Sequence, residues 1–576
     1  MENLITKHID IWTSAQTQKT SGAGRGNHSA NHKQYGIKKL RELILELAVR
    51  GKLVTQDPND EPARVLLEKI AREKARLIKE GKLKKQEPLP EITGDEKSFE
   101  LPHGWEWVRL GNVGETNIGL TYSPKDISDI GTPVLRSNNV QKGKLDLNDL
   151  VRVNIEIKNS VIVQEGDLLI CARNGSKALV GKTAQVTGLS EEMAFGAFMA
   201  IFRSIVNDYV LHFINSPLFR KMIDDVNTTT INQITQNNLK TTMFPLPPLT
   251  EQHRIVAKVD ELMAMCDQLE QQQTDSNATH QTLVETLLAT LTNVNNQDEF
   301  AEAWQRIADH FDMLFTTEHS IEHLKQTILQ LAVMGKLVPQ DPNDEPGSVL
   351  LKKIANEKAR LIKEGKIKKQ VRMTEIRDDE NPFELPEGWI WQRLGNIGYT
   401  QTGGTPSKNN ENYFGNDVPF IKPGDIYPTH VNYSNESLSF AGQEALGRTA
   451  PSGSILMVCI GTIGKCNFID RDSSFNQQIN SISPHIDVTK FLLLTLRSNY
   501  FQTIAWERSS STTIAILNKG KWMDIVLPIP PLAEQHRIVN KVDELIAVCD
   551  TLTARLNEAQ AIKIQLADAI VERAVS

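Results

Sequence analysis

The chain has 576 residues, 40% hydrophobic and 23% charged, with a net charge of −7; at ~100–200 residues per domain this is roughly three to five soluble folding units. No apolar run approaches the ~20 residues a membrane span needs, and the first ten residues lack the basic-then-apolar order of a secretory leader. Divided along the chain, the charge is +4 over residues 1–104, 0 over 105–250, −10 over 251–388, +1 over 389–533 and −2 over 534–576, so nothing here grips a polyanion by charge alone.

In chain order, residues 1–36 read as a flexible tether: Thr13–Gly36 is small and polar, with no apolar period. Residues 37–104 contain a turn, Gln56–Pro62 (QDPNDEP), and a charged helix, Ala63–Glu80, closed by Gly81. Residues 105–250 show short apolar runs broken by Gly, Asn and Pro. Thr132–Leu135, Asp167–Ala172, Leu179–Val186 and Phe195–Phe202 are predicted strands, and Leu211–Val226 a helix. Residues 251–388 open with a long helix on which Ile255, Val259, Leu262, Cys266 and Leu269 recur by four and three, with Leu283 and Leu287 in phase beyond a polar Gln271–His280 stretch. A second turn (Gln340–Pro346) and charged helix (Gly347–Glu364, closed by Gly365) follow. Residues 389–533 repeat the broken pattern, with strands at Val418–Lys422, Ser454–Ile460 and Lys465–Ile469 and a helix at Lys490–Glu507. Residues 534–576 form a second long helix through Ile538, Val542, Leu545, Cys549, Leu552, Leu556 and Ala559, continued by Leu566 and Ile570. Pro247–Pro248 and Pro530–Pro531 set the helix starts, and Glu251 and Glu534 suit the positive first turn. Each seam must bury against another helix, and the two helices, roughly 60 Å long at about 1.5 Å per residue, can pair with each other.

Internal repetition organises the chain. Leu47–Gln86 returns as Leu331–Gln370 at a shift of 284, as does Phe99–Asn112 (FELPHGWEWVRLGN) at Phe383–Asn396 (FELPEGWIWQRLGN). Pro245–Asp267 returns as Pro528–Asp550 at a shift of 283. Between these near-copies lie two modules of almost equal length that differ at most positions. Uniform drift after duplication would not leave near-identical flanks beside divergent centres. The pattern predicts one frame fitted to the same thing twice, carrying two modules that fit different things.

Catalytic and metal motifs are missing from the sequence. Cys171, Cys266, Cys459, Cys466 and Cys549 are odd in number and form no CxxC pair, which fits a reducing cytoplasm. GSKALVGKT (Gly175–Thr183) has five residues between its glycines where a phosphate loop needs four, so Lys182 and Thr183 make a poor nucleotide site. GTIGKC (Gly461–Cys466) lacks the magnesium-binding hydroxyl, and both segments read as strand, glycine turn and returning strand. His28 and His32 lie in the tether, and His253 and His536 are expected to cap or pack in the first turns of the long helices. Lys74–Lys85 and Lys358–Lys369 read as exposed helix faces. Polar and basic residues do gather at predicted strand ends: Arg136, Ser137, Asn138, Asn139, Lys142, Arg173, Asn174 and Lys177, with the loop Thr228–Asn238, in the first module. Thr405, Ser407, Lys408, Lys422, Asp425, Arg508, Ser509, Ser510 and Thr512 do so in the second. These are the side-chain types that read base edges and phosphates, and they are the candidate DNA contacts.

Twin modules ending in PLPPL or PIPPL followed by xEQHRIV and a heptad helix, with TGGTPS (Thr402–Ser407), GDLLI (Gly166–Ile170) and GTIGK (Gly461–Lys465), resemble the specificity subunits of type I restriction–modification systems. The resemblance covers nearly the whole chain beyond the first ~36 residues. The first module departs from it at Ile118–Pro124 (IGLTYSP), where the second has the Gly-Gly-Thr-Pro stretch. It implies an α+β fold, with two globular target-recognition domains separated by two long antiparallel coiled-coil helices in a pseudo-two-fold repeat. It also implies a non-catalytic, cytoplasmic subunit. Each module would read half of a split asymmetric site on double-stranded DNA. Two modification subunits and the restriction–motor subunits would dock on the frame, with S-adenosylmethionine, ATP and Mg²⁺ on those partners and no cofactor on this chain. If the paired helices are the spacer, deleting a heptad from both shortens the unread gap, and an unchanged gap contradicts it. The competing reading is a pseudo-symmetric protein–protein adaptor that never touches DNA.

Overall fold

The computed structural model describes residues 1–17, 33–81, 87–141, 143–226, 232–294, 297–371, 373–510 and 514–576. The chain divides into two compact units, Met1–Ser276 with Ala559–Ser576, and Asn277–Glu558. Among the described residues no helix is long and apolar enough to cross a membrane.

In the first unit, strands Thr183–Gln185, Leu168–Cys171, Met199–Arg203 and Glu115–Ile118 form an antiparallel sheet in that order. A second sheet joins Ala194–Phe195, Ile127–Leu135 and Val151–Val153. In the second unit the order Gly398–Thr402, Ile479–Pro484, Ile455–Val458, Cys466–Phe468 repeats the first sheet. A further sheet there is built on Phe414–Ile421. Thr132–Leu135, Asp167–Ala172, Val418–Lys422, Ser454–Ile460 and Lys465–Ile469 each hold one strand of these sheets. Leu179–Val186 is strand only at Thr183–Gln185, and Phe195–Phe202 is not one strand but parts of Ala194–Phe195 and Met199–Arg203, which lie in two different sheets. Each predicted module helix is instead two. Leu211–Val226 breaks into Asn207–Ile214 and Pro217–Val226 around Ser216. Lys490–Glu507 breaks at Ser498, whose hydroxyl accepts from the Phe501 N–H and caps Asn499–Glu507.

The frame closes each module in the same way. Glu106–Arg109 pairs with Met243–Leu246 in the first unit and Ile390–Arg393 with Val526–Ile529 in the second, so the start and end of each module meet in a two-stranded ribbon. Arg109 is buried and pairs with Glu96 at 2.8 Å while donating to the carbonyls of Pro90 and Thr241; Arg393 pairs with Glu380 at 2.9 Å and donates to those of Thr374 and Asp524. The first-turn glutamates are more than helix-end charges. Glu251 accepts from Trp105 Nε1 at 2.9 Å and Gln56 Nε2 at 3.1 Å, and Glu534 from Trp389 Nε1 at 3.0 Å and Gln340 Nε2 at 3.2 Å. Burial pushes both carboxyls above their ordinary range. Arg254 pairs with Asp60 and Arg537 with Asp344.

The long helices run Leu249–Asn293 and Leu532–Val575. In the first unit Ile255, Val259, Leu262 and Cys266 are fully buried and Leu269 partly, in one core with Ile37, Leu40, Leu43 and Ile44 of the frame helix Tyr35–Val49 and with Ala567 and Ile570 of the last helix. Arg41 of the frame helix pairs with Asp267 and Glu270, and Tyr35 and Lys39 with Asp568, so this helix engages a stretch of each long helix. In the second unit Ile538, Val542 and Cys549 are buried and Leu545 and Leu552 partly, with Val284, Leu288 and the frame helix Glu318–Val333. A frame helix therefore completes each seam; Leu287, Leu556 and Ile570 pack against these cores as the spacing predicts. The register departs from the prediction at Leu283 and Leu566, which are 49% and 45% exposed, and Val284 and Ala567 point inward instead.

Further expectations are corrected. Part of the supposed tether is ordered: Glu2–Lys7 and Ile9–Ser14 are helices, and Ile5 and Trp12 are buried in the first unit's core. Residues 18–32, with His28 and His32, lie outside the described residues. His253 and His536 are exposed rather than packed. Lys74 is no exposed face residue; its Nζ donates to the carbonyls of Gly111, Asn112 and Gly114, and burial lowers its pKa, as it does for its copy Lys358. All five cysteines are free and buried, with burial raising Cys266 to about 11 and Cys459 to about 12, which suits packing and not thiolate chemistry.

Candidate nucleic-acid interface

Despite their different sequences, the modules build the same loop end. In the first, Ile127–Leu135 runs into the short turn Ser137–Asn139; in the second, Phe414–Ile421 runs into Pro423–Asp425. The backbone N–H before the turn donates to its last side chain, Arg136 to Asn139 at 2.8 Å and Lys422 to Asp425 at 2.7 Å. The glycine turns between antiparallel strands are present, with Gly181 (φ 86°) and Gly464 (φ 96°) in the left-handed region. Each is followed by a lysine that reaches back to the neighbouring turn: Lys182 Nζ donates to the Ser137 carbonyl at 3.5 Å, Lys465 Nζ to that of Pro423 at 2.8 Å. Thr183 donates its hydroxyl to the Gly181 carbonyl at 2.9 Å. The residues that mimic a phosphate loop are thus loop anchors.

The last loop of each module joins this end. Asn174 N–H donates to the Asn232 carbonyl at 3.3 Å and Ile234 N–H to that of Ala172 at 2.7 Å; in the second module Gly461 N–H donates to the Ala515 carbonyl at 3.0 Å and Leu517 N–H to that of Cys459 at 2.8 Å. The fold therefore gathers the predicted clusters, but their side chains are not equally free. Asn139 is buried and donates to the carbonyls of Asp146 and Asp149, and Asp425 is buried and accepts from Asn435 at 2.6 Å. These two hold their own loops and are corrected from readers to supports. Asn138 and Arg136 share Asp149, Lys177 pairs with Asp224, and Lys422 with Glu436. Ser509 donates to the Trp506 carbonyl, Ser510 is tied to Ile516 through the backbone, and Arg508 pairs with Asp524 at 3.1 Å. Thr405 donates to Gln477, and Ser407 and Lys408 are exposed beside it. Lys142, Thr512 and residues 228–231 fall outside the described residues.

Aromatic side chains that sequence reasoning missed sit among these loops. Phe198 is 60% exposed with the Arg173 guanidinium 5.4 Å from its ring centre. Tyr427 stacks on His430 at 4.8 Å with Lys465 Nζ 5.3 Å above the tyrosine ring. An exposed ring with a cation over it is a surface on which a base or sugar can lie. The second module is also flanked by an open cleft of about 980 Å³ lined by Lys368, Lys369, Arg448, Lys519 and Lys521, with Asp524 as the carboxylate. The cleft of about 520 Å³ in the first unit is lined, among the described residues, by Glu96, Arg109, Gln233 and Asn238; Lys84 and Lys85, the copies of Lys368 and Lys369, lie outside the described residues. Polar amides and hydroxyls over a rigid sheet end, bordered by a local basic cleft, can position a phosphate backbone and present donors and acceptors to base edges.

Residues 102–276 and 386–561 each match the family model described as the type I restriction modification DNA specificity domain. The chain is 41% identical to the type I restriction enzyme EcoAI specificity subunit of Escherichia coli and 40% identical to the EcoEI specificity subunit of the same species, with 100% of both chains covered in each case. It is 25% identical to the EcoKI specificity subunit of Escherichia coli K12, over 82% of this chain and 89% of that one.

Proposed function

Because the chain belongs to the type I restriction–modification DNA specificity family, we propose that each of its two modules reads one half of a split, asymmetric site on double-stranded DNA. The observation that carries this reading is the contrast between frame and loop end. The frame repeats its interactions pair for pair, Trp105–Glu251 as Trp389–Glu534 and Arg254–Asp60 as Arg537–Asp344. At the loop ends the same backbone scaffold carries different side chains, Arg136 against Lys422, with Arg173 over Phe198 in the first module and Lys465 over Tyr427 in the second. A repeated frame suits two copies of one modification subunit, and the restriction–motor subunits join that assembly. S-adenosylmethionine, ATP and Mg²⁺ belong to those partners, which do the chemistry on an adenine turned out of the duplex.

Exchanging residues 105–250 for the corresponding module of a relative with another target tests the reading. With its modification subunit present, the hybrid should methylate a site in which one half is new and the other unchanged. A pseudo-symmetric adaptor without DNA readout predicts an unchanged target, and that result overturns the proposal.

A further inference from the structure

On the frame helix Glu318–Val333, His319 and His323 stand one turn apart with ring centres 4.5 Å from each other. Facing them from the first long helix, Glu285 Oε1 lies 3.2 Å from His319 Nε2 and 3.7 Å from His323 Nε2, and one ligand atom from each residue lies within 4.8 Å of the others. A tetrahedral zinc ion with bonds of about 2.0–2.2 Å separates its ligand atoms by roughly 3.3 Å, so the present spacing closes on an ion with small side-chain adjustments. Gln281 Nε2 donates to the same carboxylate at 2.9 Å and orients it. The three side chains are 41–45% exposed, which leaves an entry path and room for water in the remaining position.

The first unit shows what this place in the frame ordinarily holds. By the repeat, His319 corresponds to Tyr35 and His323 to Lys39 at a shift of 284, and Glu285 to Asp568 at a shift of 283. There the Tyr35 hydroxyl donates to Asp568 at 2.8 Å and Lys39 Nζ lies 3.3 Å from it. A lysine brings its own fixed positive charge to the carboxylate. The second unit has exchanged that lysine and the tyrosine for two imidazoles, good ligands whose charge is not fixed. We propose that His319, His323 and Glu285 form a divalent transition-metal site of the zinc class, in which the ion replaces the missing ammonium and clips the long helix to the frame helix. Two imidazoles and one carboxylate favour zinc, cobalt or nickel over magnesium or calcium.

The test uses the untagged full-length chain, stripped with chelator and titrated with Co²⁺ and then Zn²⁺. The expected result is one saturable site with a visible cobalt band, displacement by zinc, and a higher unfolding temperature with metal. The double variant His319→Tyr/His323→Lys installs the side chains the first unit carries at these positions, so it should fold while losing the cobalt band and the thermal shift. Glu285→Gln should bind at least tenfold more weakly. Absence of saturable binding to the unaltered chain, or unchanged binding in the folded double variant or in Glu285→Gln, overturns the proposal.

Discussion

Glu251 and Glu534 show how a single side chain locks the frame. Each takes the indole N–H of a buried tryptophan and the amide of a glutamine from the preceding turn, and so ties three frame segments together. Removing the acceptor strands buried donors, so Glu251→Ala should cost about 1–3 kcal/mol in a urea unfolding titration. An equal stability of variant and parent would show that water replaces the carboxylate. His485 supplies a pH test in the second unit. Burial and the nearby Lys358 lower its pKa from the ordinary 6.5 to about 4, and its Nε2 is buried without a hydrogen-bond partner. The folded state thus resists protonation. The associated stability is present above 6.5 and is lost as pH falls from there through about 4. His485→Gln should flatten the change in unfolding free energy across that window. Glu251 and Glu534, with raised pKa values, have the opposite sign: their contribution is present below the ordinary 4.5 and is lost as pH rises through their folded values.

At the scale of elements, the strands that sequence patterning finds are the apolar ones, such as Leu168–Cys171 and Ile455–Val458. Gly398–Thr402 and Ile479–Pro484 escape it because their buried positions include Thr400 and Ser481, which carry hydroxyls into the sheet and erase the apolar signal. The loop end was legible as composition: Arg136, Arg173 and Lys422 do lie in turns at sheet ends. Which of its amides and carboxylates are spent inside the loops was not, as Asn139 and Asp425 show, because that depends on backbone partners that a linear pattern does not encode. The Glu285 site has the same character: the spacing of His319 and His323 can be read along the helix, but their carboxylate comes from 34 residues upstream. Two element-scale predictions follow from the geometry. Arg173→Ala, which removes the cation over Phe198, should weaken binding of the assembled complex by ~10- to 100-fold, the range of one good base contact, measured by fluorescence anisotropy on its own target. It should leave the bases accepted by the second module unaltered. Lys336, whose Nζ donates to the Thr292 and Val294 carbonyls at 2.8 and 2.7 Å, closes the end of the first long helix as Lys52 does at Val575. Lys336→Met should lower stability by about 1 kcal/mol in the same urea titration.

At the scale of the molecule, the repeat is the feature from which the rest derives. Two near-identical frames impose one loop geometry on two modules of unlike sequence, and on the proposed reading the small net charge of each module, 0 and +1, assigns overall attraction to DNA to the partners and discrimination to the loops. The most direct test of that division is to map methylated adenines across the genome of a host expressing the unaltered chain with its modification subunit. The expected result is a single motif made of two unlike specified halves around an unspecified gap, with one modified adenine on each strand. A continuous or palindromic motif, or methylation scattered without a motif, would contradict it.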